Sequence, residues 1–161
     1  SKHIHTKTYQ KDLRALFGYA SDVVAVSEDM CEQLKQLGCP AHKIHLIPCG
    51  IPIVDHPFRQ RNFNTHSFTF VAVGRLTPKK SPLDLLRAFE ICAMANPQTR
   101  LRLIGGGELQ TEVDRFIETT PIRKQIDLLG PLPPERVKEE LGHAQAFIQH
   151  SVTAPSGDSE G

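Results

Sequence analysis

Short apolar runs alternate with amphipathic stretches along this 161-residue chain, and that alternation leaves few architectures open. Asp22 to Val26, Lys43 to Pro48, Phe68 to Val73, Arg100 to Ile104, Ile126 to Leu129 and Ala146 to His150 read as strands. Between them, apolar residues recur at helical spacing. Tyr9, Leu13, Leu16 and Phe17 form one stripe, Met30, Leu34 and Leu37 another, and Leu109, Val113, Phe116 and Ile117 a third. Pro134 to Leu141 reads as a further short helix. Strands separated by helices cannot close as tight hairpins. They pair in parallel through crossovers, which predicts an α/β chain with its parallel sheet covered on both faces by helices.

Start and stop signals agree with this reading. Ser27, followed by Glu28 and Asp29, has the form of a helix N-cap with acids at the positive end, and Gly38 ends that helix. Ser81-Pro82-Leu83-Asp84 resembles a capping box with proline at the first helical position, and the helix it opens runs to about Ala95. Residues 49–66 are polar, proline-containing and aperiodic, so they read as a linker that divides the chain unequally. Thr153 onward is a polar loop, an unusual place for an α/β chain to stop, and is expected to continue in a longer protein.

A net charge of +1 provides no general attraction to nucleic acid or anionic lipid, so any anion site must be local. Basic and aromatic residues do not interleave as in nucleic-acid binders, and no run approaches the ~18 apolar residues of a membrane span. Cys39, His42, His45 and Cys49 lie close in sequence, but their spacing matches neither common zinc pattern. A strand with polar flanks, and no metal site, is the expectation there.

In open parallel sheets, ligands bind beyond the carboxyl ends of the strands, and three candidate elements fall at such ends. The first is Val73-Gly74-Arg75-Leu76 with Lys79 and Lys80. Gly74 lets backbone approach a ligand, Arg75 can fork two bonds onto phosphate oxygens, and Lys80 adds a compact charge. The same loop reads equally well as solvated surface charge. The second is Gly105-Gly106-Gly107, whose amides would open a helix toward an anion, although glycine also serves tight turns by geometry alone. Gln110 stands where the dinucleotide fingerprint needs its third glycine. The third is Gly157-Asp158-Ser159-Glu160-Gly161, where Glu160 could accept hydrogen bonds from sugar hydroxyls or simply belong to an acidic tail.

Taken in order, these segments resemble the retaining glycosyltransferases of the GT-B fold, "group 1" family. Ala20 to Ser27 is similar to A-D-x-V-x-x-V-S, and Lys43 to Ile51 to K-[IV]-x-V-I-P-N-G-[VI], with Cys49 in place of asparagine. Val73 to Ser81 is similar to V-G-R-L-x-x-x-K-G, with Ser81 replacing the last glycine. Leu103 to Leu109 resembles I-x-G-x-G-x-L, with Leu103 at the isoleucine position, and Glu160-Gly161 the opening of a motif in which seven residues separate two glutamates.

The resemblance implies two facing Rossmann-like domains, present here as an incomplete GT-B architecture. Residues 1–48 would be the end of the N-terminal, acceptor-side domain, 49–66 a linker, and 67–161 the first half of the C-terminal nucleotide-sugar domain. It implies retaining sugar transfer from a nucleotide-diphosphate-sugar donor to a saccharide or lipid-linked acceptor, in surface polysaccharide biosynthesis. Arg75 and Lys80 would neutralise the leaving diphosphate, Glu160 would hold donor hydroxyls, and Gly74 with Gly105, Gly106 and Gly107 would line the nucleotide site. No tightly bound cofactor and no metal is expected, nor any nucleic-acid partner. The full-length enzyme would be cytoplasmic, associating peripherally with the inner face of the membrane, and this chain alone would be inactive. A non-catalytic nucleotide-sugar-binding module and a sugar-nucleotide epimerase of similar fold are the competing readings.

Overall fold

A computed structural model describes residues 7–51, 54, 58, 60–63 and 66–155 of the protein. They fall into two compact units, one ending before Phe58 and the other running from Phe58 to Pro155.

In the first unit, helix α1 (Lys7–Tyr19) leads to strand β1 (Val23–Ala25), helix α2 (Glu28–Gln36) and strand β2 (Ile44–Leu46). The strands pair in parallel, Val23 opposite Ile44 and Ala25 opposite Leu46. Ser27 caps α2 as its sequence predicts, its Oγ accepting from the Met30 amide at 3.1 Å. Gly38 closes the helix with φ at 96°, a conformation that glycine takes without a Cβ penalty. The lysine that opens β2 has a structural task. Lys43 Nζ donates to the carbonyls of Phe17 at 2.9 Å and Ala20 at 2.8 Å, satisfying acceptors that the end of α1 leaves open.

The second unit is built on β3 (Phe68–Val73), α3 (Pro82–Ala95), β4 (Thr99–Ile104), α4 (Gln110–Thr119), β5 (Ile126–Gly130), α5 (Pro134–His143) and β6 (Ala146–Phe147). Its four strands lie in the order β5-β4-β3-β6, and every pair is parallel. Side chains alternate across this sheet with period two. Ala72, Leu101 and Leu103 pack with Leu85, Leu86 and Phe89 of α3 and Val113 of α4. Val71, Val73 and Ile104 point the other way, toward Val137, Leu141 and Ala144 in and after α5. Helices therefore cover both faces; β3 is largely apolar for that reason, whereas β4 still carries an exposed Arg100 and a half-buried Arg102.

Elements end a residue or two from where periodicity alone would stop them, with the largest difference at β6. The expected strand from Ala146 to His150 pairs in register with β3 only through Phe147. Beyond it, the Ile148 amide still donates to Val71 O at 2.9 Å. Part of the stretch that reads as linker is tied into this unit. Arg61 Nη1 donates to the carbonyls of Leu141, Gly142 and Ala144 at 2.6–2.9 Å, closing the last turn of α5.

One charged pair crosses from sheet to helix. Arg102 on β4 and Glu140 on α5 meet at 2.8 Å between Nη2 and Oε1 and at 2.5 Å between Nε and Oε2. Glu140 is buried, whereas Arg102 keeps 34% of its side-chain surface. Removing one partner strands the other's charge beside apolar packing. Glu140→Ala is expected to cost about 2–3 kcal/mol in denaturant unfolding, short of a wholly buried pair because Arg102 is partly solvated. Arg102→Met combined with Glu140→Leu should recover most of that loss.

Candidate functional site

The order of the second sheet creates a switch point. From β3 the chain steps outward through α3 to β4 and through α4 to β5, then returns by α5 to place β6 on the opposite side of β3. Connections diverge there onto opposite faces, leaving a crevice between the carboxyl ends of β3 and β6, where open α/β sheets bind ligands. Gly74, Arg75 and Lys80 line a narrow cleft in this crevice together with Gln149 and His150. A wider open cleft of about 580 Å³ lies alongside, bordered by Gly74, Arg75, Gly105, Gly106 and Gly107, with Pro131, Leu132 and Val137 forming an apolar wall. Arg75 borders both. The structure thus brings together all the predicted site residues that lie within the described region.

The two strand-end loops are clamped backbone to backbone. The Gly74 amide donates to Ile104 O, that of Leu76 to Gly106 O, and that of Leu109 to Leu76 O, each at 3.0 Å. Such closeness dictates the glycines. A Cβ on Gly105, whose φ is 135°, would stand 1.8 Å from Gly74 O, and one on Gly107 would stand 2.5 Å from Leu76 O. Gly105 and Gly107 therefore have a geometric task whether or not a ligand is present. Gly105's amide is also taken, donating to Gly130 O at 2.9 Å. Gly106 and Gly74 are roomier, their nearest neighbours being Pro131 Cδ at 3.6 Å and Lys80 Cδ at 3.9 Å. The stem of Lys80 passes over Gly74, so cation and glycine act as one surface.

After Leu76, which is fully buried, the chain makes a single 3₁₀ turn from Pro78 to Lys80 and enters α3. Ser81 at this junction is left-handed, with φ at 39° and ψ at 57°. Glycine takes that conformation at no steric cost, whereas serine there costs about 1 kcal/mol. The capping box that the sequence suggests does not form in its usual way. Ser81 Oγ donates to the Asp84 carboxylate and does not accept from a backbone amide of α3, because the left-handed backbone is not the extended one an N-cap uses. This bond, and then that from Arg87, hold the Asp84 carboxyl below its ordinary value.

His150 is a residue that strand patterning passes over. It read simply as the end of a β-run, and only its position at the switch point marks it. The metal-capable cluster separates: His45 Nε2 pairs with Asp22 Oδ1 at 2.7 Å, Cys39 is buried, and no group of metal ligands forms among the described residues. Glu160 and the loop around it lie outside the described residues.

The clamp predicts a sharp contrast between neighbouring glycines. Gly105→Ala combines an impossible contact with a strained φ and is expected to destabilise the protein by on the order of 3 kcal/mol or more. Gly106→Ala should stay within about 1 kcal/mol of wild type in the same unfolding titration. Equal losses at the two positions would show that the loops do not depend on this close approach.

Comparison with known proteins agrees with this geometry. The family model described as "Glycosyl transferases group 1" matches residues 55–160, and "Glycosyltransferase Family 4" matches residues 2–54. The amylovoran biosynthesis glycosyltransferase AmsK of Erwinia amylovora is 29% identical over 160 residues, covering 99% of this chain and 39% of AmsK. Among solved structures, Anabaena HepE in complex with UDP and glucose superposes with a TM-score of 0.74 at 20% identity, over 96% of this chain and 44% of that one. WaaG, a glycosyltransferase involved in lipopolysaccharide biosynthesis, gives a TM-score of 0.67 at 13% identity, over 94% and 45%. The chain thus spans about two fifths of the length of the curated relative, and its fold is shared with these GT-B structures. With the group 1 model matching well over half of its residues, the chain belongs to the group 1 glycosyl transferases.

Proposed function

We propose that this chain carries the donor half of a retaining glycosyltransferase that moves a sugar from a nucleotide-diphosphate donor to a saccharide or lipid-linked acceptor. The observation that carries the reading is the pairing of Arg75 and Lys80 across Gly74 at the switch point of a parallel sheet. Charge builds up on the diphosphate as the glycosidic bond lengthens. Two cations beside the leaving group stabilise that charge more than they stabilise the intact donor, so they lower the barrier. Arg75 suits bidentate binding of phosphate oxygens, and Lys80 supplies a point charge on a stem already steered by the glycine beneath it. The reading needs no protein nucleophile and assigns the leaving charge to these side chains without a resident metal.

The wider cleft, with its apolar wall of Pro131, Leu132 and Val137, is where the nucleoside would lie. Glu160 would hold hydroxyls of the donor sugar. HepE, whose fold this chain shares, was solved with UDP and glucose, which supports a nucleotide-sugar donor here. AmsK is named for amylovoran biosynthesis, which supports a role in surface polysaccharide assembly. No helix among the described residues is long and apolar enough to cross a membrane. The reading places the whole enzyme in the cytoplasm, working against the inner face of the membrane where a lipid-linked acceptor would be presented.

In the full-length enzyme, Arg75→Ala or Lys80→Ala is expected to lower kcat by about 10²–10³. Rates near wild type for both variants would return this loop to ordinary surface charge. Since the chain covers about two fifths of its relative, the 161 residues alone are expected to give no sugar transfer, and measurable turnover by them would overturn that part of the reading.

A further inference from the structure

The segment that follows β6 is fastened at one end to β3 and at the other to the basic loop. The Ile148 amide donates to Val71 O at 2.9 Å, and the Val152 amide donates to Lys79 O at 2.8 Å. Gln149, His150 and Ser151 are the span between these two bonds. They cross the mouth of the crevice at the switch point, and His150 lines the same narrow cleft as Gly74, Arg75 and Lys80. On its other side His150 lines a second, apolar cleft with Phe70, Asp84, Phe89 and Cys92.

We infer that His150 is a third donor-binding residue, whose imidazolium meets the diphosphate from the β6 side while Arg75 and Lys80 meet it from the β3 side. This rests on the reading of Arg75 and Lys80 as a donor clamp and adds to it a cation that protons can switch. Imidazole changes its charge between pH 5 and 8, whereas guanidinium and ammonium groups keep theirs throughout that range. Among the described residues, the titratable and charged groups around His150 come from two elements. Arg75 and Lys80 approach from the β3–α3 loop, with Lys79 on the same loop, and Asp84 and Cys92 approach from α3. Asp84 is the carboxylate among them, and it already accepts from Ser81 and Arg87. A diphosphate bound beside the ring would favour the imidazolium over neutral imidazole. Donor binding should therefore take up a proton.

The experiment is calorimetric titration of the full-length enzyme with UDP-glucose, GDP-mannose and ADP-glucose between about pH 5.5 and 8, in buffers of differing ionisation enthalpy. In these sugars the diphosphate is esterified at both ends and keeps a constant charge, so a pH slope reports on the protein. The best-bound donor should lose roughly tenfold in affinity across that range, with net proton uptake on binding. His150→Gln should bind more weakly at the acid end, with a flat profile and no uptake. His150→Lys should restore affinity without the slope. A His150→Gln variant that keeps the wild-type slope overturns the inference, while weakening by Arg75→Ala at every pH would leave the donor clamp standing. If none of the three donors binds, or if Arg75→Ala binds them as wild type does, both readings fall together.

Discussion

The approach of two loops to within hydrogen-bonding distance, backbone against backbone, is the constraint on which the rest of the site depends. Gly74 through Leu76 and Ile104 through Leu109 exchange three amide–carbonyl bonds at 3.0 Å, and Gly105 is so close to Gly74 that no side chain fits between them. With Leu76 buried as the anchor, Arg75 stands at the rim between two clefts. A rigid platform matters for electrostatic catalysis because preorganised charges need no rearrangement when the transition state forms. Glycine here is a packing requirement before it is anything else, and the cations are placed as a consequence.

A second theme is the use of cations to close helices. Lys43 caps α1 from the start of β2, and Arg61 caps α5 from the segment before β3. Each side chain reaches across many residues to carbonyls that a helix end cannot satisfy internally. In the sequence Lys43 is one more charge beside a strand, but its contacts identify it as a structural pin. Arg75 and Lys80 differ because they end at the carboxyl edge of the sheet, beside a cleft. Position relative to the sheet, more than residue type, separates these structural cations from the two proposed to hold the donor.

Much of the fold was legible because burial imposes period. Leu101 and Leu103 on one face of β4, with Arg102 and Ile104 on the other, follow directly from strand geometry. The Ser27 cap was legible for the same local reason: its hydroxyl and its partner are three residues apart. Ser81 offered an equally good local pattern and behaved otherwise. The chain enters α3 through a left-handed residue, and a backbone angle set by the preceding turn redirected its hydroxyl to Asp84. Local rules hold where local geometry is ordinary.

By itself the sequence determined the alternation of strands and helices, the parallel sheet, and the presence of Gly74, Arg75, Lys80 and the three glycines at strand ends. These are encoded over short spans, in hydrophobic period and turn chemistry. It could not determine that Arg102 and Glu140 pair, that Gly105 lies against Gly74, or that His150 shares a cleft with Arg75. Those relations join residues tens of positions apart. They depend on β4 lying beside β3, on α5 packing against the sheet, and on β6 returning to the far side of β3 with its trailing segment against the basic loop.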